Sequence, residues 1–156
     1  MKTKLYIAYG SNMDMGQMAY RCPEAKLIGT ANVADYRLLF KGSQTGAYAT
    51  IEPAEGYTVP VLVWEITEGD EQSLDRYEGF PTFYYKEDLT VLVNGKQEQA
   101  MVYIMDESRP LGKPSLRYYK VIQDAYAKFN FDMNILTTAL EESMDEGGWR
   151  CLLKEK

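Results

Sequence analysis

The stretch VLVWEITEGDEQSLDRYEG, residues 61–79, joins a predicted strand to a predicted helix. Its first six residues form a nearly continuous apolar run, which is typical of a strand buried on both faces. Thr67 occupies the N-cap position of the helix, and Asp70, three residues later, completes a weak variant of the capping box. Gly79 is placed to end the helix, and Pro81 follows it, as at many helix C-termini.

Further strand patterns lie on both sides of this stretch. Each is a short run of apolar and aromatic residues bounded by turn-forming residues, and the run at 47–51 is expected to end before Pro53. The dipeptide Asn94-Gly95 is a strong signal for a type I′ hairpin turn. The predicted strands outside the opening stretch are residues 5–8, 27–29, 36–40, 47–51, 84–93 and 98–105.

The last third of the chain changes to helical periodicity. Ser115 is predicted to cap a helix that runs to about Phe129, and a shorter helix is predicted at 134–143. Residues 149–156 have no clear pattern. Because strands come first and helices last, we expect an α+β fold, with the strands forming a small barrel or a strongly bent sheet. One domain is expected over residues 1–156, with a tail of uncertain structure from about 144.

The composition narrows the class of function. The 156 residues have a formal net charge of −6, and the lysines and arginines are scattered, so nucleic acid is a poor candidate partner. No segment approaches the roughly 20 apolar residues of a membrane span, and the N-terminal apolar run is too short for a signal peptide. We expect a cytoplasmic protein. Nothing resembles a dimerising helix, so a monomer is expected.

The chain contains two cysteines, Cys22 and Cys151, and no histidine. Two distant thiols make no metal motif, so we expect no metal site. Triads that use histidine as the base are excluded, and any acid–base chemistry must use a carboxylate, tyrosine, lysine or cysteine. Nucleotide-binding glycine motifs are also missing, so no nucleotide cofactor is expected.

The segment Tyr9-Gly10-Ser11-Asn12 follows the first predicted strand. Gly permits unusual backbone angles, and neighbouring amide N–H groups in such a turn can converge on a carboxylate or an oxyanion. The alternative is an ordinary turn, which uses the same residue types routinely.

Glu78 is expected in the last turn of the helix that Thr67 begins. The helix dipole disfavours a carboxylate there and pushes its pKa upward, and burial would push it further. A raised carboxyl pKa suits a general base that works near neutrality without histidine. The alternative is a solvated glutamate in a poor position. Tyr84 and its aromatic neighbours are either core residues or hydrogen-bonding partners of a substrate near Glu78.

Taken together, three motifs resemble those of the γ-glutamylcyclotransferase superfamily, also called AIG2-like. Residues 6–13, YIAYGSNM, resemble its YxAYGSN signature, and residues 74–84, LDRYEGFPTFY, resemble its LDxxEGxPxxY motif. Residues 114–119, PSLRYY, resemble the PS-x-x-Y start of a family helix. The motifs occur in the family's order, and the resemblance covers about residues 5–140.

The resemblance implies a small mixed β-barrel flanked by helices, and an enzyme that needs no cofactor. It implies that Gly10, Ser11 and Asn12, with Tyr9, hold a γ-glutamyl group through backbone amides. Glu78 matches the family's catalytic glutamate, and Tyr84 matches a tyrosine that lines the pocket. The implied reaction converts a small γ-glutamyl amide into 5-oxoproline and a free amine.

The spacing of Pro81 and Tyr84 is closer to the branch that acts on γ-glutamylamines than to the branch that acts on γ-glutamyl amino acids. Residues 122–126, IQDAY, depart from the Gly-Ala pair that many members place there. Two alternatives stay open: a non-catalytic module that binds a small molecule in the same pocket, and an interaction protein for which Glu78 is dispensable.

Overall fold

The computed structural model describes residues 2–145. A 3₁₀ turn at Ser11–Met13 follows the first strand. The residues at 149–156, and the predicted tail beyond 145, lie outside the described residues. Within the described range the strands are β1 Thr3–Ala8, β2 Lys26–Lys41, β3 Tyr48–Thr67, β4 Tyr84–Val93 and β5 Lys96–Met105, and the helices are α1 Met15–Arg21, α2 Glu68–Glu78, α3 Leu116–Lys128 and α4 Met133–Asp145.

The five strands form one mixed sheet in the order β2-β3-β1-β5-β4. β1 pairs parallel with β5, and the other neighbouring pairs are antiparallel. The α+β class is confirmed. The sheet is barrel-like but not closed: in residues 2–145 no ladder joins its outer strands. These strands do approach each other, because Asn94 Nδ2 donates to the Ile28 carbonyl at 3.1 Å.

β2 and β3 are far longer than the runs that the sequence predicts. The strand candidates at 27–29 and 36–40 are parts of one strand, which passes through a register irregularity beside Asp35, a residue with φ +60°. The expectation that a strand ends before Pro53 is wrong. Pro53 pairs with Tyr36 of β2, whereas β1 pairs only with the far end of β3, from Leu62 onward. Proline is tolerated there because that half of β3 lies at the sheet edge, where one side of the strand needs no donor.

The local turn and cap signals are accurate. Thr67 Oγ1 accepts a hydrogen bond from the Asp70 amide at 3.1 Å, and Asp70 Oδ2 accepts one from the Thr67 amide at 3.2 Å. Gly79 ends α2 with φ +68°, the left-handed conformation that favours glycine. Asn94 and Gly95 both have positive φ, as a type I′ turn requires.

Helix α1 is the element that the strand and helix patterns did not predict. It is short, at seven residues, and follows a turn rather than a polar linker. Its signal was the cap: the Asp14 carboxylate accepts a hydrogen bond from the Gln17 amide at 2.8 Å. Met18 anchors the helix in the core and is fully buried. Arg21 is the last residue of the helix.

The sheet order fixes where the site lies. β1 occupies the centre of the sheet, between β3 and β5, and its residues Tyr6, Ile7 and Ala8 are buried. Its C-terminal end therefore delivers the segment after Ala8 into the interior. No helix among residues 2–145 has the length and apolar character needed to cross a membrane.

Candidate active site

A cavity of about 280 Å³ opens beyond the C-terminal end of β1, beside the last turn of α2. Its walls come from β1, β3, α2, β4, β5 and α3, and from the segments that follow β1 and α2. The structure brings together at this cavity all the site residues that the sequence singles out: Tyr9, Gly10, Ser11, Asn12, Glu78 and Tyr84.

The segment Gly10-Ser11-Asn12 turns directly out of β1 into the 3₁₀ turn. The Met13 amide donates to the Gly10 carbonyl at 3.0 Å, which closes the turn. The first N–H groups of such a turn have no acceptor within it. A side chain at Gly10 would meet the Tyr118 hydroxyl, since a Cβ there would lie 3.2 Å from that oxygen. Glycine therefore allows the backbone to approach the cavity wall closely.

The side chains of this segment hold the turn in place. Asn12 Nδ2 donates to the Tyr6 hydroxyl at 2.9 Å, and Asn12 Oδ1 accepts from the Arg21 guanidinium. Ser11 Oγ and the Tyr77 hydroxyl lie 3.2 Å apart and share a hydrogen bond. Ser11 and Asn12 are both buried. With the side chains committed to these partners, the main-chain amides are the groups of the turn left to bind a ligand.

Glu78 is the last residue of α2, and its side chain enters the cavity wall. Burial raises the pKa of its carboxyl to about 7, and the positive charge of Arg21 opposes the rise. The helix end alone predicts a smaller effect, so burial is the main cause. A carboxyl with this pKa exchanges its proton readily near neutral pH, which is what a group that both accepts and returns a proton requires.

Buried tyrosines form much of the remaining wall. The Tyr9 hydroxyl donates to the Tyr103 carbonyl at 2.6 Å, and the Tyr84 hydroxyl donates to the Ala49 carbonyl at 2.7 Å. Burial raises the pKa of both phenols well above the usual value, so they stay neutral. Their hydroxyl hydrogens are committed to the backbone, which makes both residues wall and positioning groups.

Tyr118 differs from these two tyrosines. Its hydroxyl accepts a hydrogen bond from the Ala49 amide at 3.0 Å, and burial raises its pKa as well. In residues 2–145 no acceptor is recorded for its own hydrogen, so the hydroxyl can donate to a ligand in the cavity. Tyr118 belongs to the PSLRYY motif, which was the signal that pointed to it. Sequence reasoning did not assign it a role.

Two other residues near Glu78 were missed. Tyr77 precedes Glu78 and bonds Ser11, and Arg21 from α1 lies over the Tyr77 ring, 3.4 Å from the guanidinium carbon to the ring centroid. Tyr77 lies within the motif at residues 74–84, but nothing in the sequence pointed to Arg21. In the described part of the chain, no cluster of three or more His, Cys, Asp or Glu side chains is arranged to hold a metal ion.

The chain is similar to known proteins in sequence and in fold. A family model described as "Gamma-glutamyl cyclotransferase, AIG2-like" matches residues 6–121, the part of the chain that contains the cavity residues. The human protein named Gamma-glutamylcyclotransferase is 35% identical over 129 residues, which cover 76% of this chain and 67% of the human protein.

Solved structures show the same fold. One described as "Gamma-glutamyl cyclotransferase" matches with a TM-score of 0.76 and 28% identity, covering 88% of this chain and 86% of that chain. A yeast γ-glutamyl cyclotransferase specific to glutathione matches with a TM-score of 0.65, covering 94% of this chain and 97% of that one. Its 11% identity extends the likeness to the fold alone. On the family model and the human relative, the chain belongs to the γ-glutamyl cyclotransferase, AIG2-like family of enzymes.

Proposed function

We propose that this protein converts a small γ-glutamyl amide into 5-oxoproline and a free amine, with Glu78 as the general acid and base. One observation carries the proposal. A carboxyl whose pKa burial raises to about 7 faces the same cavity as the main-chain turn at Gly10–Asn12. The cavity thereby combines a proton carrier with donors for an anion.

The reaction is an intramolecular acyl transfer. The α-amine of the γ-glutamyl group is protonated in water, and Glu78 takes one of its protons to make it nucleophilic. The nitrogen then attacks the γ-carbonyl carbon, a ring C–N bond forms, and the carbonyl oxygen gains negative charge. When the original C–N bond breaks, the now neutral Glu78 returns the proton to the departing nitrogen. The ring nitrogen also loses its second proton as the lactam forms, and the departing amine takes up a proton and leaves as an ammonium ion. With that transfer the protons and electrons balance, and the steps use no covalent enzyme intermediate, metal or nucleotide.

Two sets of donors support the stabilisation of anionic groups in this mechanism. The amides at Gly10 to Asn12 either bind the substrate's α-carboxylate or face the developing oxyanion, and the Tyr118 hydroxyl adds a donor beside Gly10. Tyr9 and Tyr84 form the wall that keeps the glutamyl chain folded. Holding the amine against its own carbonyl supplies much of the acceleration, because a well-oriented intramolecular reaction avoids most of the entropic cost of meeting.

Two observations favour different leaving amines. Aromatic rings of Tyr48 and Phe83 line the cavity, and such faces attract the cationic tail of a γ-glutamylamine, the branch that the Pro81–Tyr84 spacing resembles. Arg76, an exposed cation that also lines the cavity, attracts the carboxylate of an amino-acid leaving group instead. Both substrate classes share the γ-glutamyl half and the chemistry at Glu78.

The test is release of 5-oxoproline from a panel of γ-glutamyl amino acids and γ-glutamylamines, with spontaneous cyclisation subtracted. We expect release from at least one class. If Arg76 binds the carboxylate of an amino-acid leaving group, the Arg76→Gln variant should lower kcat/KM for γ-glutamyl amino acids more than for γ-glutamylamines. Calorimetric binding of panel members without any release would contradict catalysis and support the alternative of a non-catalytic binding module.

A further inference from the structure

Arg21 lies behind the cavity wall, at the end of α1, and is not one of the residues that line the cavity. Its guanidinium contacts two elements that are far apart in sequence. On one side it donates to Asn12 Oδ1, in the turn after β1. On the other side it lies over the Tyr77 ring of α2, with 3.4 Å between the guanidinium carbon and the ring centroid.

The two contacts converge on one junction. Ser11, the neighbour of Asn12, shares a hydrogen bond with the Tyr77 hydroxyl, and this bond joins the turn to the helix directly. Arg21 adds a second connection between the same two elements. The guanidinium suits both contacts, because it is planar, stacks on aromatic faces and presents several donors in a fixed geometry.

The charge of Arg21 has no carboxylate partner in the described residues. The ion pairs that the structure records there involve other lysines and arginines. The Arg21 charge acts on Glu78, where it lowers the pKa of the carboxyl and so opposes the effect of burial. The cation therefore serves the junction and the acid–base residue at once.

We propose that Arg21 is a positioning residue of this site, which clamps the Gly10–Asn12 turn to the last turn of α2 and places its positive charge towards Glu78. The inference rests on the proposed function for its kinetic consequences. The clamp between the turn and the helix depends only on the contacts of Arg21 with Asn12 and with the Tyr77 ring.

The other groups that face Glu78 do not supply this charge. Burial raises the pKa of four neighbouring phenols, so these are neutral where Glu78 titrates: Tyr6, Tyr9, Tyr84 and Tyr118. Arg76 is cationic but lies exposed on the same helix as Glu78. The titratable and charged groups around Glu78 are Tyr6 from β1, Tyr9 directly after it, Tyr48 from β3, Tyr84 from β4, Tyr103 from β5, Tyr118 from α3, Arg21 from α1, and Arg76 and Tyr77 from α2.

Two substitutions separate the charge from the clamp. Arg21→Gln removes the charge and the stacking, so Glu78 should hold its proton to higher pH. We expect the acidic limb of kcat/KM to move upward by about one pH unit, the low end of the range for a neighbouring charge. Arg21→Lys keeps the charge but not the planar fork. Its acidic limb should stay within about 0.3 unit of wild type, while kcat/KM falls about tenfold as the turn and helix separate.

The control is Arg117→Gln, which removes an exposed arginine from α3 and should leave both the limb and the rate unchanged. The Glu78 carboxyl is also titrated by carbon NMR on labelled protein, with Glu78→Gln to assign its signal. This readout needs no turnover, so it tests Arg21 even if wild type proves inactive. An unchanged Glu78 titration in folded Arg21→Gln, or a uniform loss of rate with an unmoved limb in both variants, would overturn the inference.

Discussion

At the scale of single residues, the acid–base role that we propose for Glu78 has a cost in stability. Its carboxyl has a usual pKa of about 4.5, and burial raises the value to about 7 in the folded protein. The folded state therefore binds a proton that the unfolded state releases between these two values. Ionising the buried group destabilises the fold by at most about 3 kcal/mol, from the free energy equivalent of the pKa difference.

Glu78→Gln should accordingly stabilise the protein at alkaline pH. Glutamine stays neutral at every pH, so it avoids the cost of a buried charge. The sign follows from the raised pKa: the cost is absent below the unfolded pKa, grows as pH rises, and is complete above about 7. Thermal unfolding should show a higher Tm for the variant at pH 8 and a smaller difference at pH 5.5. A gain that is equal at both values, or a loss at pH 8, would contradict the burial account.

The residues of the candidate site were easier to predict from the sequence than their burial in the folded protein. Gly10, Ser11, Asn12 and Glu78 are recognisable from motif and helix position. The burial that dominates the Glu78 pKa is not, since it depends on walls contributed by β1, β4 and α3. Arg21 escaped because an arginine at a helix end is usually solvated, and only the tertiary structure places it over Tyr77.

At the scale of elements, α2 positions Glu78, the proposed acid–base residue, and its two ends fix its place in the chain. The reciprocal bonds between Thr67 and Asp70 fix where the helix starts, and Gly79 in the left-handed conformation fixes where it stops. Lys86 of β4 bonds Glu71 and Asp75 on the helix at 2.7 and 2.9 Å. The position of Glu78 is therefore determined by contacts along the whole helix.

Thr67→Ala should destabilise the protein by about 1 kcal/mol, within the usual range of 0.5–2 kcal/mol for the loss of an N-cap. The reason is that the Asp70 amide loses its acceptor at a buried position. Urea unfolding measures the change. Thr138→Ala, at an exposed position in α4, serves as the matched control and should cost little or nothing. Equal midpoints for Thr67→Ala and the control would show that the cap is unimportant.

Elements with strong local signals are predictable, and those that tertiary pairing determines are not. The Asn94-Gly95 hairpin and α2 depend on turn and cap residues, so the sequence locates them. The length of β2 and β3 depends on their mutual pairing past Asp35 and Pro53, both of which are local signals to stop. α1 is too short for its apolar spacing to stand out, although the Asp14 cap marks its start.

At the scale of the whole molecule, the sheet order assembles the site. β1 is central, so the turn after it meets α2, which follows β3, and α3, which follows β5. The parallel pairing of β1 with β5 could not be predicted from the sequence, because it joins the first and the last strand of the chain. The outer strands of the sheet come close where Asn94 contacts Ile28. In residues 2–145 no ladder of hydrogen bonds joins these strands, so the expected barrel is not closed.

We expect the protein to be a monomer in solution. Among the described residues the most exposed large apolar side chains are Tyr20 on α1 and Leu116 on α3, and the net charge of −6 opposes self-association. Size-exclusion chromatography with light scattering should return a mass near 17.9 kDa. A mass twice as large, unchanged on dilution, would contradict the prediction.

The central claim is that Glu78 carries the proton during cyclisation, and one measurement tests it most directly. The rate of 5-oxoproline release is compared among wild type, Glu78→Gln and Glu68→Gln, using the best substrate of the panel. Glu68 is the matched control, an exposed glutamate in the first turn of the same helix. We predict that Glu78→Gln remains folded and loses about 10²–10⁴-fold in kcat, while Glu68→Gln stays near wild type. Turnover near the wild-type rate in folded Glu78→Gln would contradict the claim.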